Sequence, residues 1–310
     1  MTQTQAEGFR WPNSVPLPQS VQLIEVGPRD GLQNEPAPWT TTQKIALIEQ
    51  LGETGLNNIE IGAFVHPGKV PQMADSADVI QHVMAWAKQG SPPERITYSA
   101  LVPNTKGLAR ALESGIKRIA VFTAASDAFN TANIGMTVEA SLQQYQAVIQ
   151  EALAAGVSVR GYVSTAFVCP YAGLIAKTQV RPVIEALLAM GVDEVSVGDT
   201  IGAAVPTQVT DTLAYVLERI PAHQLALHCH DTYGYALANT LAALQLGITR
   251  HDSSIGGLGG CPYAPGASGN LATEKLVGFL NRMGIQTGVD TEKLNAVAQW
   301  VKQHDNPCAK

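Results

Sequence analysis

The chain has 310 residues, of which 45% are hydrophobic and 15% charged, with a formal net charge of −6 at pH 7. This balance is typical of a soluble enzyme with a large buried core, and its acidic character argues against a nucleic-acid partner, which calls for a basic surface. No apolar run reaches 18 residues, so we expect no membrane partner. Four cysteines without regular spacing exclude a disulfide framework, and we expect a cytoplasmic protein.

Short β-branched segments alternate with amphipathic helical patterns, and the alternation repeats eight times. The predicted strands span residues 21–26, 58–61, 96–101, 118–122, 158–163, 194–197, 225–228 and 249–253. The predicted helices span residues 43–51, 76–88, 106–113, 138–155, 179–190, 208–219, 235–246 and 270–282. Helix-ending glycines precede several of the strands, as in the repeated βα units of a parallel sheet.

Eight such units predict an α/β fold, a closed (β/α)8 TIM barrel, rather than an open doubly wound sheet. The open sheet usually carries a glycine-rich phosphate turn after its first strand, and the Gly-Pro-Arg-Asp-Gly at residues 27–31 lacks that spacing. We expect a polar N-terminal tail over residues 1–20 and the catalytic barrel over 21–285. Residues 286–310 are expected to add a helix, at 290–304, that packs on the barrel.

Polar residues occupy the carboxyl ends of the predicted strands, where barrel enzymes carry their active sites. They are Arg29 and Asp30 after the first strand, Glu60 in the second, Asp199 after the sixth, and His228 and His230 at the end of the seventh. Residues i and i+2 of a strand share a face, so the two imidazoles would lie side by side. They can bind a divalent metal if an oxygen ligand joins them, and two core histidines are the alternative.

Asp30 can supply that oxygen ligand, although an ordinary Asp-Gly turn is the other interpretation. Asn270 is a further candidate ligand. A mixed set of nitrogen and oxygen donors favours Mg²⁺ or Mn²⁺ over Zn²⁺. Glu60 lies between isoleucines, where an unpaired carboxylate is costly to bury, so we expect it to pair with Arg29 and to orient the guanidinium toward a substrate oxygen.

Residues 256–266 are too rich in glycine for a helix or a strand, and they carry Cys261. A flexible connector is one interpretation, but we favour a lid over the active-site end of the barrel. A cysteine on such a lid is a candidate acid or nucleophile. Cys229, by contrast, alternates away from the two histidines and is expected to face the helices.

These groups together suit the breaking or making of a carbon–carbon bond next to a carbonyl. A divalent metal can chelate a hydroxyl and a carbonyl of one substrate. An arginine beside it can stabilise an enolate oxygen, and a thiol can deliver or remove a proton. The residues therefore predict a metal-dependent lyase or aldolase.

Six motifs resemble those of the 3-hydroxy-3-methylglutaryl-CoA (HMG-CoA) lyases, and the resemblance covers nearly the whole barrel. They are Gly-Pro-Arg-Asp-Gly-Leu-Gln-Asn-Glu at 27–35, Pro-Gln-Met at 71–73, Gly-Asp-Thr-Ile-Gly at 198–202, His-Cys-His-Asp-Thr-Tyr-Gly at 228–234, Gly-Leu-Gly-Gly-Cys-Pro-Tyr-Ala at 257–264 and Gly-Asn-Leu-Ala-Thr-Glu at 269–274. The histidine motif indicates the wider superfamily of metal-dependent barrel lyases, aldolases and Claisen synthases. The glycine-rich motif is much more specific to the lyases.

The resemblance implies a divalent metal, Mg²⁺ or Mn²⁺, held by four residues: Asp30, His228, His230 and Asn270. It implies that Arg29 binds the substrate carbonyl, that Gln33 contributes to substrate binding, and that Cys261 is the catalytic thiol. Two further residues, Glu60 and Asp199, match acidic positions of the family's active site. Either His228 or Asp30 could take the proton from the substrate hydroxyl.

The implied reaction is the retro-Claisen cleavage of HMG-CoA to acetyl-CoA and acetoacetate, a step of leucine degradation and ketone-body formation. The implied partners are an acyl-CoA substrate and a second copy of the chain in a homodimer. One segment departs from the family pattern: Ile-Gly-Ala-Phe-Val-His-Pro-Gly stands at 61–68, where the lyases usually carry hydroxyl residues before Phe-Val and Ser-Pro after it. A lyase or aldolase on a related 3-hydroxyacyl-CoA or 2-oxo acid is therefore the alternative.

Overall fold

The computed structural model of the protein describes residues 17–36, 38–89, 96–259 and 269–304. Its strands are β1 (Gln22–Glu25), β2 (Asn58–Ala63), β3 (Thr97–Leu101), β4 (Arg118–Ala124), β5 (Ser158–Ser164), β6 (Val168–Cys169), β7 (Gly173–Leu174), β8 (Glu194–Asp199), β9 (Leu225–Cys229) and β10 (Arg250–Ser253). Eight of them close into a parallel barrel in the order β1-β2-β3-β4-β5-β8-β9-β10, and β6 and β7 form a separate antiparallel hairpin. The predicted barrel is therefore confirmed.

Ten α-helices lie in the described part of the chain. They are α1 (Thr41–Gly52), α2 (Ser76–Ala87), α3 (Thr105–Glu113), α4 (Asp127–Ile134), α5 (Val138–Ala154), α6 (Lys177–Ala189), α7 (Pro206–Leu217), α8 (Ala236–Gln245), α9 (Thr273–Arg282) and α10 (Thr291–His304). The last of these packs on α1 and α9. Among the described residues, none of the helices is both long enough and apolar enough to span a bilayer.

Side chains alternate along each barrel strand between the helices and the barrel interior, and β5 shows the division clearly. Val159 and Val163 are fully buried in the apolar core. Between them, a Cβ on Gly161 would lie 3.0 Å from the side chain of Leu187 in α6, so this face of the strand packs closely on a helix. Arg160 and Tyr162 point the other way, into the barrel, where their polar groups meet those of other strands.

Replacing His251 with valine is expected to reduce the loss of stability in acid. Burial lowers the pKa of His251 from 6.5 to about 4, so between these values the unfolded chain binds a proton that the folded chain does not. The stability that the neutral imidazole provides is present above pH 6.5 and is lost as the pH falls to 4, a change of about 3 kcal/mol. Urea unfolding at a series of pH values measures this change.

His82 provides the control, because its side chain is exposed on α2. A His82→Gln variant removes a histidine without changing a buried site, so its stability should follow the wild-type pH profile. If His251→Val also followed the wild-type profile, His251 would not be the source of the acid sensitivity.

Candidate active site

Arg29 and Asp30 lie in a π-helical turn, Gly27–Gly31, that begins where β1 ends. The amide of Gly31 donates to the carbonyl of Val26 at 3.2 Å, which closes the wide turn. Turns of this type are rare and recur at functional sites. A Cβ on Gly27 would lie 2.6 Å from a carboxylate oxygen of Glu25, so the first position of the turn requires glycine. The turn places the side chains of Arg29 and Asp30 in the lining of one cavity.

The guanidinium of Arg29 is held by two carboxylates. Its Nε donates to Oε1 of Glu60, and its Nη1 donates to Oδ1 of Asp30 at 2.7 Å. Arg29 is only 5% exposed. Burial alone would lower the pKa of Arg29, but the charges of Glu60 and Asp30 outweigh it and raise that pKa. The predicted contact between Arg29 and Glu60 is therefore present. The guanidinium of Arg29 remains charged.

Asp30, His228 and His230 bring three metal-binding groups within 4.8 Å of one another. His228 Nε2 lies 3.9 Å from Asp30 Oδ2, and the two imidazole ring centres are 5.3 Å apart. Asn270 joins them, because its Nδ2 donates to Asp30 Oδ2 at 2.9 Å. We call these four side chains the metal-binding group.

Two buried atoms of this group, His230 Nδ1 and Asn270 Oδ1, have no hydrogen-bond partner within the described ranges. Burial lowers the pKa of His230 to about 4, so its imidazole is neutral and offers a lone pair. Buried acceptors without partners cost free energy unless something binds them. One carboxylate, two imidazoles and one amide oxygen form a donor set that suits a divalent cation. The residues present therefore fit a divalent metal.

A chain of hydrogen bonds runs from Arg29 into the barrel. Oε2 of Glu60 accepts from the hydroxyl of Tyr162 at 2.8 Å. That hydroxyl accepts from Nη1 of Arg160 at 2.7 Å, and Nη2 of Arg160 donates to Oδ1 of Asp252 at 2.5 Å. The buried carboxylates and guanidinium groups therefore neutralise one another, as buried charges require.

The chain of hydrogen bonds returns to the metal-binding group through Asp252, whose Oδ2 lies 3.3 Å from Nδ1 of His228. The contact between His228 and Asp30 closes it. We call this arrangement the interior ring, and its seven members are Asp30, Arg29, Glu60, Tyr162, Arg160, Asp252 and His228.

The sequence analysis did not predict Tyr162, Arg160 and Asp252, although all three lie inside predicted strands, as Glu60 does. A usable signal was present: Arg160 stands in the middle of a strand between valine and glycine, and it shares a face with Tyr162. Asp252 similarly lies within the last predicted strand. A charged residue inside a barrel strand must find a partner of opposite charge from another strand.

A cavity of about 680 Å³ opens at the carboxyl ends of the strands. Arg29, Gln33 and three members of the metal-binding group line it, and Gln33 Nε2 donates to Asp30 Oδ1 at 3.1 Å. His66 and Lys69, both exposed, also line it. The volume falls within the range of small-molecule sites in proteins.

Asp199 lies at the end of β8 but outside the lining of this cavity. Its Oδ1 accepts from the backbone amides of Ala203 and Ala204, at 3.1 and 3.2 Å. Burial raises the pKa of Asp199 to about 6 in spite of these donors. The structure thus places this predicted catalytic residue where it holds the loop after β8.

The segment that departs from the lyase pattern lies mostly away from the cavity. Ile61, Gly62 and Ala63 are buried and do not belong to its lining. The hydroxyl of Ser76 in α2 accepts from the amide of Ala63 at 3.1 Å. The departure reaches the cavity lining only from Val65 and His66 onward.

Cys261, the predicted catalytic thiol, lies outside the described residues. The described start of its glycine-rich segment is joined to the site, because Asn270 Nδ2 donates to the carbonyl of Leu258 at 3.1 Å and the amide of Gly259 donates to Glu35 at 2.9 Å. Cys229 is buried, and burial raises the pKa of its thiol. It lies in the apolar core cluster.

The HMGL-like family model matches residues 20–301 of the chain. Mitochondrial hydroxymethylglutaryl-CoA lyase of Rattus norvegicus is 49% identical over 287 residues, which cover 93% of this chain and 86% of the rat protein. Hydroxymethylglutaryl-CoA lyase of Bacillus subtilis is 49% identical over 289 residues, which cover 93% of this chain and 94% of that protein.

Solved structures agree with these matches. The crystal structure of the Bacillus subtilis HMG-CoA lyase has a TM-score of 0.89 at 48% identity and covers 94% of this chain and 95% of its own. An HMG-CoA lyase from Acinetobacter baumannii was solved in complex with coenzyme A and 3-methylmalate. It has a TM-score of 0.85 at 37% identity, and the match covers 93% of this chain and 91% of that one. The chain therefore belongs to the HMGL-like family, a family of divalent-metal-dependent lyases.

Proposed function

We propose that this protein is a carbon–carbon lyase that cleaves HMG-CoA to acetyl-CoA and acetoacetate. The observation that carries the proposal is that the Arg29–Glu60 pair and the metal-binding group line or adjoin one cavity at the carboxyl end of the barrel. Two relatives that are 49% identical to the chain are hydroxymethylglutaryl-CoA lyases. The Acinetobacter baumannii relative was solved with coenzyme A, which supports a CoA thioester as substrate.

The reaction removes the proton of the tertiary hydroxyl, breaks the neighbouring carbon–carbon bond and releases acetoacetate. The acetyl-CoA enolate that remains then takes up a proton. A divalent metal, which we propose to be Mg²⁺ or Mn²⁺ held by the metal-binding group, would polarise the hydroxyl and carbonyl oxygens of the substrate.

Arg29 provides a fixed positive charge for the enolate oxygen. Glu60 and Asp30 hold the guanidinium in the cavity before the substrate arrives. A charge already in place needs no reorganisation as the negative charge develops, and this is the main source of electrostatic catalysis. We place Gln33 beside Arg29 as a substrate-binding residue, because both line the cavity and both donate to Oδ1 of Asp30.

The proton of the tertiary hydroxyl has two candidate acceptors. Burial lowers the pKa of His228, but the hydrogen bond and charge of Asp252 outweigh burial and raise it. Burial raises the pKa of Asp30, but Arg29 and the two histidines lower it. A bound metal would occupy the Nε2 lone pair of His228, whereas Asp30 would keep a second carboxylate oxygen. We therefore propose Asp30 as the base and His228 as the alternative.

The proposal is tested by mixing the purified protein with HMG-CoA and following acetoacetate. We expect product with Mg²⁺ or Mn²⁺, none with EDTA, and recovery when the metal is returned in excess. The rates of acetoacetate formation with Mg²⁺ and with Mn²⁺ show which metal supports faster turnover. Absence of acetoacetate with either metal would overturn the substrate, and turnover of another 3-hydroxyacyl-CoA or of a 2-oxo acid would support the alternative lyase or aldolase.

Replacing Cys261 with alanine is expected to lower kcat about 10²-fold, because a positioned proton donor contributes at least that much. Mg²⁺ affinity, measured by calorimetry, should stay at the wild-type value, since the thiol is not among the proposed ligands. Cys169→Ala, which removes a buried thiol next to Ser126, is the control. Full activity in the Cys261→Ala protein would exclude the thiol from the mechanism.

We further propose a cytoplasmic homodimer that serves leucine degradation and ketone-body formation, with neither nucleic acid nor membrane as partner. The net charge of −6 supports the absence of a nucleic-acid partner. Residues 21–285 would form the catalytic domain, and Asp199 would act by shaping the loop after β8. Light scattering coupled to size exclusion tests the dimer.

A further inference from the structure

Asp252 lies behind the metal-binding group and outside the cavity lining. β9 and β10 are parallel neighbours, and their register pairs Asp252 with His228, so both side chains enter the barrel at one level. Oδ2 of Asp252 lies 3.3 Å from Nδ1 of His228. The other ring nitrogen of His228, Nε2, is the one near Asp30. The two ring nitrogens therefore have different neighbours.

The groups that contact Asp252 from its other sides are donors. Arg160 donates to Oδ1 at 2.5 Å, and the hydroxyl of Ser196 donates to Oδ2 at 2.7 Å. Asp252 and Arg160 are 2% and 1% exposed. Arg160 is always a cation and donates to both oxygens of Asp252, from Nη2 to Oδ1 and from Nη1 to Oδ2 at 3.3 Å, so Asp252 is paired as a carboxylate anion.

An ionised carboxylate can only accept hydrogen bonds, so the hydrogen in the contact with His228 must sit on Nδ1 of the imidazole. A neutral imidazole carries one N–H and one lone pair. When the N–H faces Asp252, the lone pair lies on Nε2, on the side of Asp30. We propose that Asp252 is a positioning residue that fixes the Nδ1–H tautomer of His228 and thereby directs its Nε2 lone pair to the metal.

This inference rests on the proposed function for the role of the metal-binding group, and it assigns a residue that does not touch metal or substrate. Carboxylates that accept from the far nitrogen of a metal-bound histidine fix the ring and raise metal affinity, and losing one weakens binding by roughly 10–100-fold. Asp252 stands in that relation to His228.

Asp252 could instead serve only as a counter-charge for the buried Arg160. Glu194 offers the matched comparison, because its Oε1 accepts from Nε of Arg160 at 2.5 Å and it is also largely buried. Glu194→Gln removes one unit of negative charge from Arg160 without touching His228. Asp252→Asn removes the same charge and also the acceptor for Nδ1.

An amide in place of Asp252 offers one oxygen and one NH₂ group. If the oxygen faces His228, the NH₂ group meets the donors of Arg160. If the NH₂ group faces His228, the imidazole must exchange its tautomer and place a hydrogen on Nε2. Both arrangements weaken the hold on His228, and the second removes its lone pair from the metal.

The test uses the whole protein loaded with Mg²⁺ at pH 8. Two-bond ¹H–¹⁵N spectra of histidine-labelled protein report the tautomer of His228, assigned by the signal that His228→Asn loses. Calorimetry gives the Mg²⁺ affinity. We expect the wild type and Glu194→Gln to share the Nδ1–H tautomer and to bind Mg²⁺ alike. We expect Asp252→Asn to lose that tautomer and to bind Mg²⁺ roughly 10–100-fold more weakly.

An Nε2–H tautomer in the wild type would overturn the proposal, whether or not either variant folds. Retention of the wild-type tautomer and Mg²⁺ affinity by Asp252→Asn would overturn it as well. An equal loss of affinity in Glu194→Gln would assign the effect to the charge around Arg160 and would also overturn it. Neither readout needs HMG-CoA, so a failure of the proposed reaction is seen separately, in the acetoacetate assay.

Discussion

Replacing Arg29 with lysine is expected to lower kcat for HMG-CoA cleavage by about 10³-fold, the upper range for losing one donor to a developing oxyanion. The guanidinium contacts Glu60 through Nε and Asp30 through Nη1. A lysine carries the same charge, but its three donors share one nitrogen, so they cannot occupy the separate positions that the guanidinium nitrogens take toward the two carboxylates and the substrate. Steady-state kinetics with saturating Mg²⁺ measure the effect.

Arg118 supplies the matched control for this substitution. It forms a two-point pair with Asp193 at 2.7 and 2.9 Å, away from the cavity lining. Arg118→Lys should therefore keep wild-type kcat and KM. If Arg29→Lys retained most of its kcat, a positive charge alone would be sufficient and the fixed geometry of the guanidinium would not matter.

Replacing His230 with alanine is expected to weaken Mg²⁺ binding by about 10³-fold, since even the partner behind a ligand is worth 10–100-fold. Within the described chain, Nδ1 of the neutral His230 imidazole has no hydrogen-bond partner. Alanine removes this nitrogen and offers no other atom that could bind the metal. Activity should then depend on Mg²⁺ at concentrations far above those that saturate the wild type. Calorimetry and the metal dependence of kcat/KM measure both effects.

Cys229 precedes His230 directly and is the control for disturbing the strand. Its thiol is buried in the apolar core cluster, so Cys229→Ala should lower stability slightly and leave Mg²⁺ affinity unchanged. Equal Mg²⁺ affinity in His230→Ala and wild type would remove His230 from the ligand set. Together, Cys229→Ala and His230→Ala also test the prediction that these two neighbouring side chains of the β9 segment face opposite sides of the strand.

The barrel could be predicted because its strands and helices have distinct apolar periods. The pattern in β5, for example, shows β-branched residues on one face and glycine after the preceding helix. Helix α4 escaped detection because its eight residues make barely two turns. It is defined instead by its ends, where Ser126 accepts from the amide of Phe129 and Gly135 adopts φ 77°.

Most of the predicted site residues stand at strand ends or just after them, and Glu60, inside β2, was predicted from its isoleucine neighbours. Arg29 and the two histidines stand at such ends, so the barrel fold alone brings them together. Asp252 reaches His228 through the register of two strands, and Asp199 turns to the backbone of its own loop. Register and side-chain direction depend on the folded structure, which a list of strand ends does not contain.

The interior ring limits how this enzyme could change. Each member holds two neighbours, and no member lies at an end. A single replacement removes one partner from each of two buried groups, on opposite sides of the gap. Effects of substitutions within such a ring are not additive. Related barrels with another specificity would therefore differ here by paired exchanges, whereas exposed residues of the lining such as Lys69 can change one at a time.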